Sequence, residues 1–235
     1  MPRTGSRKSG LVIAFLYLIA AQASQPVLPA READAGLRCT AAFMALADAQ
    51  KPAFVPAIGD PALVDRAMAF TLLTRQKLAR GPEPRQSAVD RAMAALAEVQ
   101  GAAKRSGGGD AYFRAEIRRC RPLIENALSE EAERLSIAPA ELPLDYLRCV
   151  VVYAMGYGVA FRPETEQGRY GNEAARKFEQ LYTKSRSLAA AGAEEWQQIW
   201  ARDMQTIEAA RESGTTRRDE SLHCVLLAIR SEAKP

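Results

Sequence analysis

Apolar residues recur along this chain at helical spacing in eight stretches, separated by proline, glycine and polar breaks. Cys39, Phe43 and Leu46 share one face of a first helix over about 35–48, and Pro52 and Pro56 break the pattern beyond it. Asp60 before Pro61 predicts an N-cap followed by proline at the first helical position. The second helix then carries Leu63, Ala67, Phe70 and Leu73 toward Arg80, and Gly81 and Pro82 end it. A third opens near Ser87 with Val89, Met93 and Leu96 as its apolar face, and stops at Gly107–Gly109. Asp110 is expected to cap a fourth, with Phe113, Ile117, Cys120 and Ile124 in register. Pro122 inside that run should kink or restart it, because proline removes a donor and clashes with the preceding turn. The polar stretch from Ser129 to Leu135 either extends this helix or forms a short one of its own.

In the second half, a helix opening around Pro143 is almost wholly apolar from Leu147 to Ala154, which predicts a central place in a core. Phe161 to Tyr170 reads as a long loop. Asn172 reads as the cap of a sixth helix bearing Phe178, Leu181, Tyr182 and Ser185. The clearest stripe is Trp196, Ile199, Trp200, Met204 and Ile207, and a closing helix surrounds Leu222, Cys224, Val225, Leu226 and Ile229. No alternating run is bounded by hairpin turns, so no strand is predicted. Composition agrees, since Ala is abundant and Ala, Leu, Arg, Glu and Gln lose little on entering a helix, while Val, Ile and Thr are few.

The N-terminal segment has a different design. Arg3, Arg7 and Lys8 precede an uncharged, mostly apolar stretch from Leu11 to Ser24 that ends in the small-residue pattern Ala21, Gln22, Ala23. This is the anatomy of an export signal cleaved after Ala23. About 20 apolar residues are needed to span a bilayer core, and this run is shorter, so an uncleaved anchor is the weaker reading. Cys39 stands too far downstream for lipid attachment. Loss of residues 1–23 takes three of 32 basic groups and none of 28 acidic ones, leaving a formal charge of +1. That balance offers nucleic acid or an anionic membrane no attraction.

Four cysteines, an even number in an exported chain, imply disulfides. Three connectivities are possible, and an internal echo selects one. Leu37-Arg38-Cys39, followed by three small residues and Phe43, resembles Leu147-Arg148-Cys149, followed by three valines and Tyr153. Cys120 and Cys224 sit late in their respective halves at a similar offset. Pairing Cys39 with Cys120 and Cys149 with Cys224 then joins an opening to a closing helix in each half. The fold expected is all-α: eight helices as two related four-helix units, 35–137 and 138–231, each stapled by a disulfide. A signal peptide (1–23) and a linker (24–34) precede them, and a tail (232–235) follows.

Candidate chemistry is sparse. His223 adjoins Cys224, and neighbouring helical side chains diverge by about 100°, so the two cannot work as nucleophile and base. One histidine and paired cysteines leave no zinc ligand set, and no haem-attachment, phosphate-loop or nucleophile-elbow sequence occurs. No metal or cofactor is expected. The acidic pairs Glu130 with Glu131, Glu164 with Glu166 and Glu194 with Glu195 read as solvated helix starts. Trp196 and Trp200 read as core residues more than as a binding groove. Tyr153, Tyr157, Phe161 and Tyr170 gather around the most glycine-rich part of the second unit and are the candidate ligand or partner residues.

The reading that follows is a periplasmic or secreted non-enzymatic module that binds, inhibits or chaperones another protein. Two alternatives from other classes are a cell-wall glycan hydrolase with a lone Glu acid, and a carrier of an apolar ligand near Tyr153 and Tyr157. Oligomeric state is not legible.

Overall fold

A computed structural model describes residues 30–49, 59–81, 84–155, 164–188, 191–213 and 219–232. These residues form nine helices and no strand: α1 Ala30–Ala49, α2 Pro61–Arg80, α3 Arg85–Arg105, α4 Gly109–Arg119, α5 Arg121–Arg134, α6 Leu142–Tyr153, α7 Glu166–Ser185, α8 Ala193–Glu212 and α9 Glu220–Glu232. The expected signal segment, residues 1–23, lies outside the described residues. No helix among the described residues is long and apolar enough to cross a membrane.

Nine helices replace the expected eight because the fourth stretch is two. Cys120 sits in a turn between α4 and α5, and Pro122 is the second residue of α5, where its missing N–H is one the first turn could not have bonded anyway. The Asp60 cap is present, with the Leu63 N–H donating to Asp60 Oδ1 at 3.0 Å. Several other expectations need correction. α1 starts at Ala30, inside the segment read as a linker, and α9 runs through Glu232, the first residue of the expected tail. Asp110 lies in the first turn of α4 without capping it. α7 begins at Glu166 and not at Asn172, because Thr165 Oγ1 accepts the Gly168 N–H at 3.1 Å. The last part of the expected 161–170 loop is therefore helical. Between α3 and α4, Gly107 (φ 65°) and Gly109 (φ 42°) adopt the left-handed backbone that glycine takes without steric cost, which reverses the chain.

Contacts divide the chain into two compact units, Met1–Pro52 with Phe70–Arg121, and Ala53–Ala69 with Pro122–Pro235. The 35–137 and 138–231 division is thus not the one the contacts draw. The first half of α2 and nearly all of α5 go with the later cysteines.

In the first unit, α1 packs on α3 and α4. Leu37, Ala42, Phe43 and Leu46 of α1, Val99 and Ala103 of α3, and Phe113 and Ile117 of α4 are buried. The buried face of α3 is Ala88, Val99 and Ala103, not Val89, Met93 and Leu96, and Met93 is 41% exposed. Val89 and Leu96 are half-buried at the edge of this face.

In the second unit, α6 packs on α7, α8 and α9. Cys149, Tyr153, Phe178, Cys224 and Leu227 form one buried cluster, and Leu147, Tyr182, Leu188 and Ile207 form another. Trp196 and Trp200 stack at 4.9 Å and pack half-buried against the second cluster. The disulfides join Cys39 to Cys120 and Cys149 to Cys224. Loops of this length stabilise by about 4 kcal/mol each in the chain-entropy model.

Candidate functional site

Tyr153 and Tyr170, two of the four candidate residues, are brought together, and what joins them is an acid. Tyr153 closes α6 and Tyr170 lies in the second turn of α7, their rings 6.3 Å apart edge to face. Both hydroxyls donate to Asp65 Oδ2 of α2, at 2.6 and 2.9 Å, and Asp65 is only 4% exposed. The Tyr153 ring also stacks on Phe178 at 5.8 Å. Burial, reinforced by the Asp65 carboxylate, pushes the Tyr170 phenol well above its ordinary range. Beside Asp65, Arg66 reaches Glu125 at 3.3 Å and Glu232 at 3.8 Å. These bonds explain why the first half of α2 belongs to the second unit. Tyr157 and Phe161 lie outside the described residues.

Three further carboxylates are buried. Glu116 on α4 receives Arg38 Nε at 3.1 Å and Arg119 Nη1 at 2.7 Å, while Arg38 also reaches Glu98 at 2.6 Å and Tyr112 at 3.1 Å. The hydrogen bond to Glu116 raises the Arg38 guanidinium further above its already high value. Asp145 on α6 is 1% exposed; Arg148 Nη1 donates to its Oδ1 at 2.9 Å, and His223 Nε2 stands 3.1 Å from its Oδ2. Asp203 on α8 accepts from the Tyr182 hydroxyl at 3.0 Å and from Arg186 Nε at 2.8 Å. Burial first, and the Asp203 bond second, push the Tyr182 phenol up to about 12.

None of these acids belongs to the glutamate pairs singled out in the sequence. Glu194 and Glu195 do start α8, exposed, and Glu166 starts α7, but Glu130 and Glu131 sit in the last turns of α5 beside Arg134. The buried acids have a signal of their own, because each occupies an apolar stripe. Asp203 lies between Ile199 and Ile207, Glu116 between Phe113 and Cys120, Asp145 among Leu142, Leu144, Leu147 and Cys149, and Asp65 beside Leu63, Val64 and Ala67. The helix expected to be almost wholly apolar therefore buries an acid, while Val150, Val151 and Val152 are only half-buried. A charge on such a stripe has to be met by a partner, and tyrosine hydroxyls, guanidinium groups and one imidazole meet it here.

His223 is 7% exposed and turned to Asp145, and its neighbour Cys224 is spent in the disulfide. Among the described residues no group of three or more His, Cys, Asp or Glu side chains could hold a metal ion. An open groove of about 720 Å³ runs along α7, lined by Arg169, Asn172, Glu173, Arg176, Lys177 and Gln180. No family model, curated protein or solved structure matches the chain.

Proposed function

We propose that the protein is exported through a signal peptide at residues 1–23 and works in the periplasm or outside the cell as a non-enzymatic helical module that binds another protein. What carries the binding reading is where the buried acids are spent. Asp65, Glu116, Asp145 and Asp203 are each closed in by donors of the same chain, as fastenings of helices and not as acids presented to a substrate. Two disulfides among helices, with no cysteine left over, support an oxidising compartment. The likeness of the two cysteine-flanking segments, each with its cation-held acid, supports a duplicated unit.

The test is purification of the mature protein, under native conditions, from the periplasm and medium of its own host. The expected result is a chain beginning at Ser24 together with a reproducible protein partner. Recovery in the cytoplasm with residues 1–23 attached would refute the export reading. Release of fragments from purified peptidoglycan would replace binding with hydrolysis.

A further inference from the structure

The two disulfides have unlike surroundings. Cys224 lies within α9 in an unbroken buried run from Leu222 to Leu227, and Cys149 lies within α6, on which α9 packs. These cysteines are 1% and 0% exposed. Cys120 is in the turn between α4 and α5, and Arg118, Arg119, Arg121 and Pro122 on either side of it are all exposed. Cys120 and its partner Cys39 keep 7% and 8% exposure. Local movement of an exposed turn uncovers this bond, whereas the other is uncovered only when α9 parts from α6.

Charge tells the two sulfurs of the first bond apart. Cys120 has a guanidinium directly before and directly after it, and the first turn of α5 that follows contains no acid. Glu116, one turn earlier, is met by Arg38 and Arg119 together. Cys39 stands inside α1 with Thr40 after it, and Arg38 before it is taken up by two carboxylates, Glu98 and Glu116. Neighbouring cations favour a thiolate, so Cys120 is the better leaving group of the pair.

We propose that Cys39–Cys120 is a redox-sensitive fastening that small thiols open while Cys149–Cys224 stays shut. The attacking thiolate bonds to Cys39 Sγ, the Cys39–Cys120 bond breaks, and its electron pair leaves on Cys120 Sγ. A second thiolate then displaces the first from Cys39. Two small thiols end as one disulfide, and the protein, reduced by two electrons, gains two thiols. α1 keeps its packing on α3 and α4 and the bonds of Arg38, so opening loosens the first unit without unfolding it. In an oxidising compartment the closed form is the resting state. The inference is independent of what the module binds.

The test is timed exposure of the mature protein to reduced glutathione without denaturant, followed by N-ethylmaleimide capture and an unreduced peptide map. The expected early product carries glutathione on Cys39 and maleimide on Cys120. It forms at least about tenfold faster than any product at Cys149 or Cys224, and it slows severalfold when Arg118→Gln and Arg121→Gln are combined in a chain of unchanged Tm. Hydrogen exchange of the opened protein should show lowered protection in α1 and unchanged protection in α6 and α9. Glutathione on Cys120 in place of Cys39, equal rates at the two bonds, or opening only in denaturant would overturn the proposal. Indifference to the two arginines, or full protection of α1 with the bond open, would overturn it as well.

Discussion

The two disulfides are flanked by the same device built two ways. Beside Cys39–Cys120, the residues preceding the cysteines, Arg38 and Arg119, converge on Glu116, four residues before the second cysteine. Beside Cys149–Cys224, the preceding residues are Arg148 and His223, and they converge on Asp145, four residues before the first cysteine. The acid precedes the second cysteine in one case and the first in the other, and an imidazole stands beside Asp145 where Glu116 has a second guanidinium. Depth differs as well: the side chains of Arg38 and Arg119 are 41% and 74% exposed, those of Arg148 and His223 19% and 7%. Water can take over the first clasp when it breaks, and has little access to the second. The same contact pattern should therefore carry different weights in the two units.

Removing the acids tests that difference with the largest effect. Asp145→Ala leaves a guanidinium and an imidazole in the interior and should cost about 3–5 kcal/mol. Glu116→Ala, whose partners can turn to solvent, should cost about 1 kcal/mol. Urea unfolding measures both, and equal losses would break the comparison. The disulfides should differ in access rather than in worth. Under native conditions with a small thiol reductant, alkylation and mass measurement should find Cys39–Cys120 opened first, since its residues are 8% and 7% exposed against 0% and 1% for Cys149–Cys224.

A pH dependence belongs to the second unit. The Tyr182 phenol, at about 12 in the folded protein, stands above the value of about 10 for an unfolded tyrosine. Its contribution is complete below pH ~10 and is lost as pH rises toward 12. Trp196 and Trp200, both in the second unit, should report unfolding across that alkaline window by fluorescence, and Tyr182→Phe should flatten the dependence. The smallest effect expected is that of Arg119→Ala, under about 0.5 kcal/mol; a loss as large as that of Arg148→Ala would show the first clasp to be as interior in its energetics as the second.

Helices were legible wherever one apolar face settled the matter, as at Trp196, Ile199 and Ile207. The echo around Cys39 and Cys149 led to the connectivity, and Pro122 marked the break between α4 and α5. Three features were not legible, each for a stated reason. α3 buries Ala88, Val99 and Ala103 and leaves Val89 and Leu96 half-buried, so the face set by its largest apolar residues lies to one side of the one the packing uses. Thr165 caps α7 seven residues ahead of Asn172 through one side-chain bond, which no periodicity announces. The acids of the interior stand singly on apolar stripes, where the partners that let them be buried come from other helices and leave no mark in the local sequence. Of the four aromatic candidates, Tyr153 and Tyr170 do meet, around an aspartate more than eighty residues away in sequence, and such a distant partner has no local signature.

An unreduced peptide map with intact mass, on protein from the native host, tests the central claim most directly. The account predicts a chain starting at Ser24 in which Cys39 is linked to Cys120 and Cys149 to Cys224. Free thiols in the folded protein, or a bond from Cys39 or Cys120 to Cys149 or Cys224, would contradict it.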